Sequence, residues 1–302
     1  MLAFVYKMLI DSIVWSRLSS GLKVFSGVIQ AATRIYCPSP RHRIQCVAAR
    51  TVNYTTSLKM LSFESEKRKC LAMSVEERRR RYKVHGHFTE LHQLDTWDNY
   101  YKKNKYICSK VALDQAAIAS VLQGSCYKVD NDLNQKISLF MGDITKLEVD
   151  AVVNAANNTL SGGGGVDGAI HKAAGQFLDQ ECFSLNGCET GNAKITGGYN
   201  LPARYVIHTV GPIGEKPAML ESCYKRSMQI AIENNIRTIA FPCISTGVYG
   251  YPSESAVTVV LPIIRTMLEA HKNKIDRVIF CLFVERDIHH YHRYLPIFFP
   301  LQ

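Results

Sequence analysis

Two amide side chains and one carboxylate bracket a run of four glycines: Asn154 and Asn157 stand before Gly162, Gly163, Gly164 and Gly165, and Asp167 follows Val166 just after them. Glycine loses more backbone freedom on ordering than any other residue, so such a run is kept where the backbone must come close to something. Each N–H it offers to an ionised oxygen is worth roughly 1.5–3 kcal/mol. Asn157 can hold a hydroxyl in place, and Asp167 can orient a water or accept its proton. The chemistry implied is capture of a phosphate-bearing ligand with hydrolysis beside it. Each residue also has a purely structural reading: Asp167 as the N-cap of a following helix, Asn157 as a turn amide. No Ser/His/Asp or Cys/His signature accompanies them, so a covalent mechanism is not indicated.

Two further loops share this character. Gly142-Asp143-Ile144-Thr145 follows a strand expected over 136–141, and Ser245-Thr246-Gly247-Val248-Tyr249-Gly250-Tyr251 follows one expected over 237–243. Gly163-x-Gly165-x-x-Gly168 formally matches the dinucleotide fingerprint of nicotinamide oxidoreductases. The Asn-rich stretch between strand and glycines is too long for that tight turn, however, and Glu189 follows no strand from which to bind a ribose. The phosphate-loop pattern of nucleotide triphosphatases is absent.

The elements that must position these loops alternate. Strands are expected over 136–141, 150–155, 193–197, 204–210, 237–243 and 277–284, and helices over 167–175, 176–185, 218–234, 253–271 and 287–295. Helices leading into Val/Ile/Phe-rich strands imply parallel strands with crossover helices. The fold class is therefore α/β, a three-layer α/β/α sandwich with the ligand site at the carboxyl ends of its strands.

With 302 residues, 47% of them hydrophobic, the chain can bury one large core and has sequence to spare. All of its net charge of +10 lies in the first 135 residues, which hold 21 basic and 11 acidic side chains; from Lys136 onward the count is 15 against 15. That distribution gives the α/β part no nucleic-acid groove. The ten cysteines form no CxxC pair and no Cys/His spacing suited to zinc, so a reducing compartment, no structural metal and no cofactor are expected. Residues 1–60 are acid-poor, Arg- and Ser-containing and amphipathic, the pattern of a mitochondrial targeting leader. No uncharged run reaches the ~18 residues of a membrane span. Residues 61–135 read as a helical extension, with a capping box at Ser74–Glu77 and a linker over 124–135, and residues 136–302 as the α/β domain.

Taken in order, Gly142-Asp143-Ile144, Asn154 to Asn157, Gly162 to Gly168, Tyr205 to Pro212 and Ile244 to Gly250 resemble the macrodomain family, and within it the MacroD-type ADP-ribosyl hydrolases, over residues 136–300. The resemblance implies a mixed central sheet between helix layers. It also implies a hydrolase that removes mono-ADP-ribose from acidic side chains and deacetylates O-acetyl-ADP-ribose, or alternatively a reader that binds ADP-ribose without turnover. ADP-ribose-containing small molecules and mono-ADP-ribosylated proteins are the implied partners. Asp143 would accept from the adenine amino group, and the Ile144 N–H would read a ring nitrogen. Phe283 would pack on the adenine, or else serve as a core aromatic. Gly162 to Val166 and Ser245 to Val248 would cradle the diphosphate, and Tyr249 and Tyr251 would shape a lid over the distal ribose. Asn157 and Asp167 would carry catalysis, Asn154 would brace the loops, His171 would line the pocket and His208 would be a satisfied core histidine. The connection Gly214-Glu215-Lys216-Pro217 is shorter than is usual in the family, which puts rim contacts rather than catalysis in doubt. The leader and the tail resemble those of mitochondrial members, with nucleus or cytosol as the alternative location.

Overall fold

Strands that are buried on both faces read as unbroken apolar runs, and four of them here form the parallel heart of the sheet. The computed structural model describes residues 62–84, 87–122 and 124–302; the leader expected over 1–60 lies outside the described residues. In chain order the strands are β1 (Thr89–Glu90), β2 (Ile137–Met141), β3 (Leu147–Glu148), β4 (Ala151–Ala155), β5 (Ala193–Gly197), β6 (Tyr205–Thr209), β7 (Thr238–Phe241) and β8 (Arg277–Leu282). Six of these form one sheet in the order β2-β8-β7-β4-β6-β5, while β1 and β3 form a separate two-stranded pair. All neighbours in the large sheet run parallel except the edge strand β5, which pairs antiparallel with β6 from Ala193↔Thr209 to Gly197↔Tyr205.

After the helical residues 62–72 come α1 (Val75–Arg79), α2 (Trp97–Lys110), α3 (Gln115–Leu122), α4 (Asn131–Asn134), α5 (Gly165–Ala174), α6 (Gln176–Ser184), α7 (Pro217–Glu233), α8 (Ser253–Ala270) and α9 (Glu285–Phe298). The period-two alternation of the strands divides the interior into two cores. Val278, Phe280 and Leu282 face one side with Leu220, Tyr224 and Met228 of α7 and Val257, Leu261 and Ile264 of α8. Ile279, Cys281, Val152 and Ala240 face the other with Ile170 and Ala174 of α5 and Leu178 and Cys182 of α6. Three layers follow from this division. No helix among the described residues is long and apolar enough to cross a membrane.

The segment before β2 contributes to both cores. Trp97 is completely buried against the first, and its indole N–H donates to the Phe299 carbonyl at 3.0 Å. Cys70 joins the second core, and Lys67 bonds Glu181 of α6 at 2.6 Å. The stretch 124–135, read as linker, holds α4: the Asp130 carboxylate caps it by accepting from the Leu133 N–H, and Leu133 is buried. The described residues from 62 onward make one compact unit.

Glu148 on β3 anchors this segment, accepting from Arg79 Nε at 2.8 Å, from Arg79 Nη2 at 2.5 Å and from the Tyr82 hydroxyl at 2.7 Å. Burial on its own would raise the Glu148 carboxyl, but the Arg79 and Tyr82 bonds outweigh it and hold the group below its ordinary 4.5. Because the folded carboxyl titrates below the unfolded one, its stabilisation is full above the unfolded value and is lost as pH falls through the folded one. Glu148→Gln should therefore cost about 1–2 kcal/mol at pH 7, discounted because Arg79 is a third exposed to screening water. The difference between the two proteins should shrink in acid, as read from urea midpoints across pH.

Candidate functional site

The parallel strands deliver their loops in a row along one edge of the sheet. Because Met141 pairs with Leu282, Asp143 after β2 and Phe283 after β8 lie side by side. Next come Ser245 to Tyr251 after β7, and then the glycine loop after β4. From β2 to β4 is three strand spacings, roughly 14–15 Å. An elongated ligand laid across this edge would meet the Asp143 end first and the Asp167 end last.

At the β2 end, Asp143 caps the 3-10 turn Ile144–Lys146, its Oδ1 accepting from the Thr145 N–H at 2.9 Å and from the Thr145 hydroxyl at 2.7 Å. Its other carboxylate oxygen makes no bond among the described residues, so the turn-capping role and the ligand role are compatible. Phe283 is 79% exposed, so the core-aromatic alternative does not hold; it is the first residue beyond β8, past the point where the sheet faces are covered. A cleft of about 710 Å³ opens beside Asp143, lined by Lys83, Lys146 and Lys172, which place positive charge along the approach of an anion.

The glycine loop is shaped by two left-handed residues, Gly162 at φ +75° and Gly165 at φ +60°. Gly168 is required for a different reason: a Cβ there would overlap the Gly163 carbonyl oxygen. Gly164 is the N-cap of α5 and supplies no side-chain bond, so the first N–H groups of the helix face outward with the positive end of its dipole. Asp167, in the first turn, therefore does not cap that helix. Its Oδ1 instead accepts from Asn154 Nδ2 at 2.7 Å. Burial pushes the Asp167 carboxyl above its ordinary 3.8, against the opposing pull of the Asn154 amide and His171.

Asn154, the next-to-last residue of β4, is completely buried and ties the carboxylate to the sheet. The same Nδ2 lies 3.1 Å from His208 Nδ1, and His208 Nε2 lies 2.9 Å from the Thr196 hydroxyl. An amide nitrogen can only donate, so His208 Nδ1 accepts and Nε2–H donates to Thr196. Burial holds His208 down to about 3, so it stays neutral. His171, one turn beyond Asp167, is buried, with Nδ1 2.6 Å from Asp179 Oδ1.

Asn157 takes the turn-amide role in full: Nδ2 donates to the Gly162 carbonyl at 2.7 Å, and Oδ1 accepts from the Thr159 hydroxyl at 2.8 Å and the Ser161 N–H at 3.3 Å. One Nδ2 hydrogen remains for a ligand. Asp167 Oδ2 and Asn157 Nδ2 converge on the side-chain-free space at Gly163, lying 3.2 and 3.7 Å from where its Cβ would be.

In the third loop Ser245 is left-handed at φ +66°, Thr246 bonds the Cys243 carbonyl at 3.1 Å, and Gly247 and Val248 are exposed at its tip. The expected lid of two tyrosines is half present. Tyr249 is half-buried at the rim, but Tyr251 is 1% exposed, because its N–H bonds the Ser245 carbonyl and turns its ring into the core. The structure thus joins Asn154, Asn157, Gly162, Gly163, Asp167 and His171 in one contact network. The Asp143, Phe283 and third-loop residues stand along the same edge, with no hydrogen bond to that network among the described residues. Thr196 and Asp179, which complete it, were not anticipated. Sequence offered only the alternation placing Thr196 on the same strand face as Lys194, and the eight-residue spacing of Asp179 from His171 across Gly175.

A family model described as Macro domain matches residues 153–260. ADP-ribose glycohydrolase MACROD1 of Rattus norvegicus is 57% identical over 190 residues, 61% of this chain and 74% of the relative. ADP-ribose glycohydrolase MACROD2 of Xenopus laevis is 48% identical over 253 residues, 82% of this chain; the chain spans 57% of that relative's length. Among solved structures, the Trypanosoma brucei macrodomain in complex with ADP superposes with a TM-score of 0.58 at 36% identity, covering 75% of this chain and 88% of that one.

Proposed function

The chain belongs to the macrodomain family, and from that membership we propose that it is a hydrolase releasing ADP-ribose from mono-ADP-ribosylated acidic side chains and acetate from O-acetyl-ADP-ribose. The observation that carries the reading is the convergence of Asp167 Oδ2 and Asn157 Nδ2 on the open space at Gly163, directly before the uncapped start of α5. The names of the rat and frog relatives point to the same activity, and the trypanosomal macrodomain binds ADP.

The ligand would lie with adenine between Asp143 and Phe283, diphosphate on the N–H groups of Gly163 to Val166 and of the third loop, and distal ribose over Gly163. Both substrates carry an ester at that ribose. Asn157 would hold a ribose hydroxyl, while Asp167 takes a proton from the attacking water as the acceptor carboxylate or acetate leaves. Asn154 positions Asp167 without touching the substrate. Burial strengthens Asp167 as a base, because the same desolvation that lifts its carboxyl makes the carboxylate hold a proton more readily.

The rival reading, a reader that binds without turnover, leaves the aimed carboxylate of Asp167 without work to do. Calorimetric titration with ADP-ribose followed by a release assay on a Glu-linked mono-ADP-ribosylated protein separates the two; binding without release would favour the reader. Gly168→Ala should push the Gly163 carbonyl out of place and weaken ADP-ribose binding at least about tenfold, or about 1.4 kcal/mol. Unchanged affinity in the same titration would show that the loop gives way freely.

We also propose that residues 1–60 direct the protein to mitochondria, a reading supported by eight basic side chains against the single acid Asp11 in that stretch. Fused to a fluorescent reporter, they should localise it there; a reporter diffuse in cytosol and nucleus would overturn this.

A further inference from the structure

Directly beneath the glycine loop, side chains from three separate elements meet: His171 of α5, Cys182 of α6 and His208 of β6. One ligand atom from each, two ring nitrogens and the thiol sulfur, lie within 4.8 Å of one another, and all three residues are buried. Cys182 Sγ stands 3.6 Å from His208 Nε2. That matches the edge of a tetrahedron, about 3.6 Å, built on a Zn–S bond of about 2.3 Å and a Zn–N bond of about 2.0–2.1 Å.

His171 is arranged as metal-binding imidazoles are. A carboxylate can only accept, so Asp179 at 2.6 Å fixes the ring hydrogen on Nδ1 and leaves Nε2 facing inward. That Nε2 has no hydrogen-bond partner among the described residues, although His171 is only 8% exposed. Asp167 Oδ1 lies 3.5 Å from it, outside the group of three, and would move inward to serve as a fourth ligand. We propose that His171, Cys182 and His208, completed by Asp167, form a site for a thiophilic divalent cation, of which Zn²⁺ is the type, and that its occupation switches the enzyme off.

Two imidazoles, a thiolate and a carboxylate suit Zn²⁺ and not the oxygen-seeking Mg²⁺ or Ca²⁺. On coordination the Cys182 S–H bond breaks, an S–metal bond forms and the proton leaves to solvent. His208 gives up its bond to Thr196 and carries its hydrogen on Nδ1. The Asn154 amide can accept that hydrogen by turning inward its Oδ1, which has no partner among the described residues. Without metal the thiol is inert, since burial pushes it up to about 12. The cluster borders the glycine loop, since the His171 ring lies 3.3 Å from the Cβ position of Gly162. A cation at this site holds the Asp167 carboxylate and draws Asn154 away from it, so Asp167 can no longer take a proton from water. The inhibitory half of the inference rests on the hydrolase reading; the site itself does not.

The test uses the full chain, freed of metal with a chelator. Titrated with Co²⁺, it should take up one equivalent with tetrahedral d–d absorption and a thiolate-to-cobalt charge-transfer band, and calorimetry with Zn²⁺ should give the same stoichiometry. Cys182→Ser should lose the charge-transfer band and at least tenfold in Zn²⁺ affinity while binding ADP-ribose as the parent does, which also reports that it is folded. Zn²⁺ should stop release by the parent, a chelator should restore it, and Cys182→Ser should need at least tenfold more Zn²⁺. No uptake, or a band that persists in Cys182→Ser because other cysteines such as the exposed Cys126 hold the metal, overturns the site. Uptake that depends on Cys182 yet leaves release untouched overturns the inhibitory half. Since uptake is read without turnover, a failure of the hydrolase reading leaves this result standing.

Discussion

Asp167→Asn should slow release of ADP-ribose by roughly 10²–10⁴-fold, the span a positioned acid–base group contributes, while leaving ADP-ribose affinity within a few-fold of the parent. The substitution keeps the shape, and the carbonyl of the introduced amide can still accept from Asn154 Nδ2, so the loop stays in place. What disappears is the capacity to receive a proton. The buried site also no longer has to desolvate a carboxylate, so the variant should be at least as stable as the parent at neutral pH. A slow variant that binds and stays folded is the signature of chemistry lost. Release at the parental rate, measured by single turnover, would remove Asp167 from the mechanism and revive the reader alternative.

The second large effect concerns stability. Trp97→Ala should cost about 3–5 kcal/mol, the range for emptying a large aromatic site, and would also leave the Phe299 carbonyl without its donor. Trp97 is completely buried, with its indole against Tyr100 and Tyr101 at ring distances of 6.2 and 5.4 Å. A domain of this kind is stable by only about 5–15 kcal/mol, so the loss should lower the denaturant midpoint of the whole α/β unit in one transition. A separate early transition, with the main midpoint unmoved, would instead mark residues 62–135 as an appendage. Single-transition behaviour would mean that a fragment beginning near Lys136 is a poor substitute for the longer protein.

The contrast between Trp97 and β4 shows what sequence can reveal. The strand was plain from Ala151-Val152-Val153, because a fully buried parallel strand needs a continuous apolar run and little else does. The long helices α7 and α8 were equally plain from their period. The glycine loop announced itself because backbone approach has one cheap solution, which is glycine. Trp97 carried no such mark: its partner Phe299 is 202 residues away, and no local period encodes that contact. Tyr251, expected in a lid, is turned into the core by a single backbone hydrogen bond, and Phe283 is left exposed because β8 ends one residue before it; neither outcome has a local sequence mark. Asp167, read as a base, kept a helix cap as its alternative until the fold set Asn154 beside it. The His171, Cys182 and His208 cluster escaped a search for metal spacing because three elements supply it with one residue each.

The row of loops along the sheet edge has a metric consequence. Hydrogen bonding fixes the distance between neighbouring strands, so the interval from Asp143 to Gly163 is set by the lattice of the sheet and cannot adapt to its guest. A mononucleotide sugar would satisfy one end and strand the other, and a ligand with an added phosphate would buckle between them. The protein would choose its substrate first by span, and only then by the groups at either end.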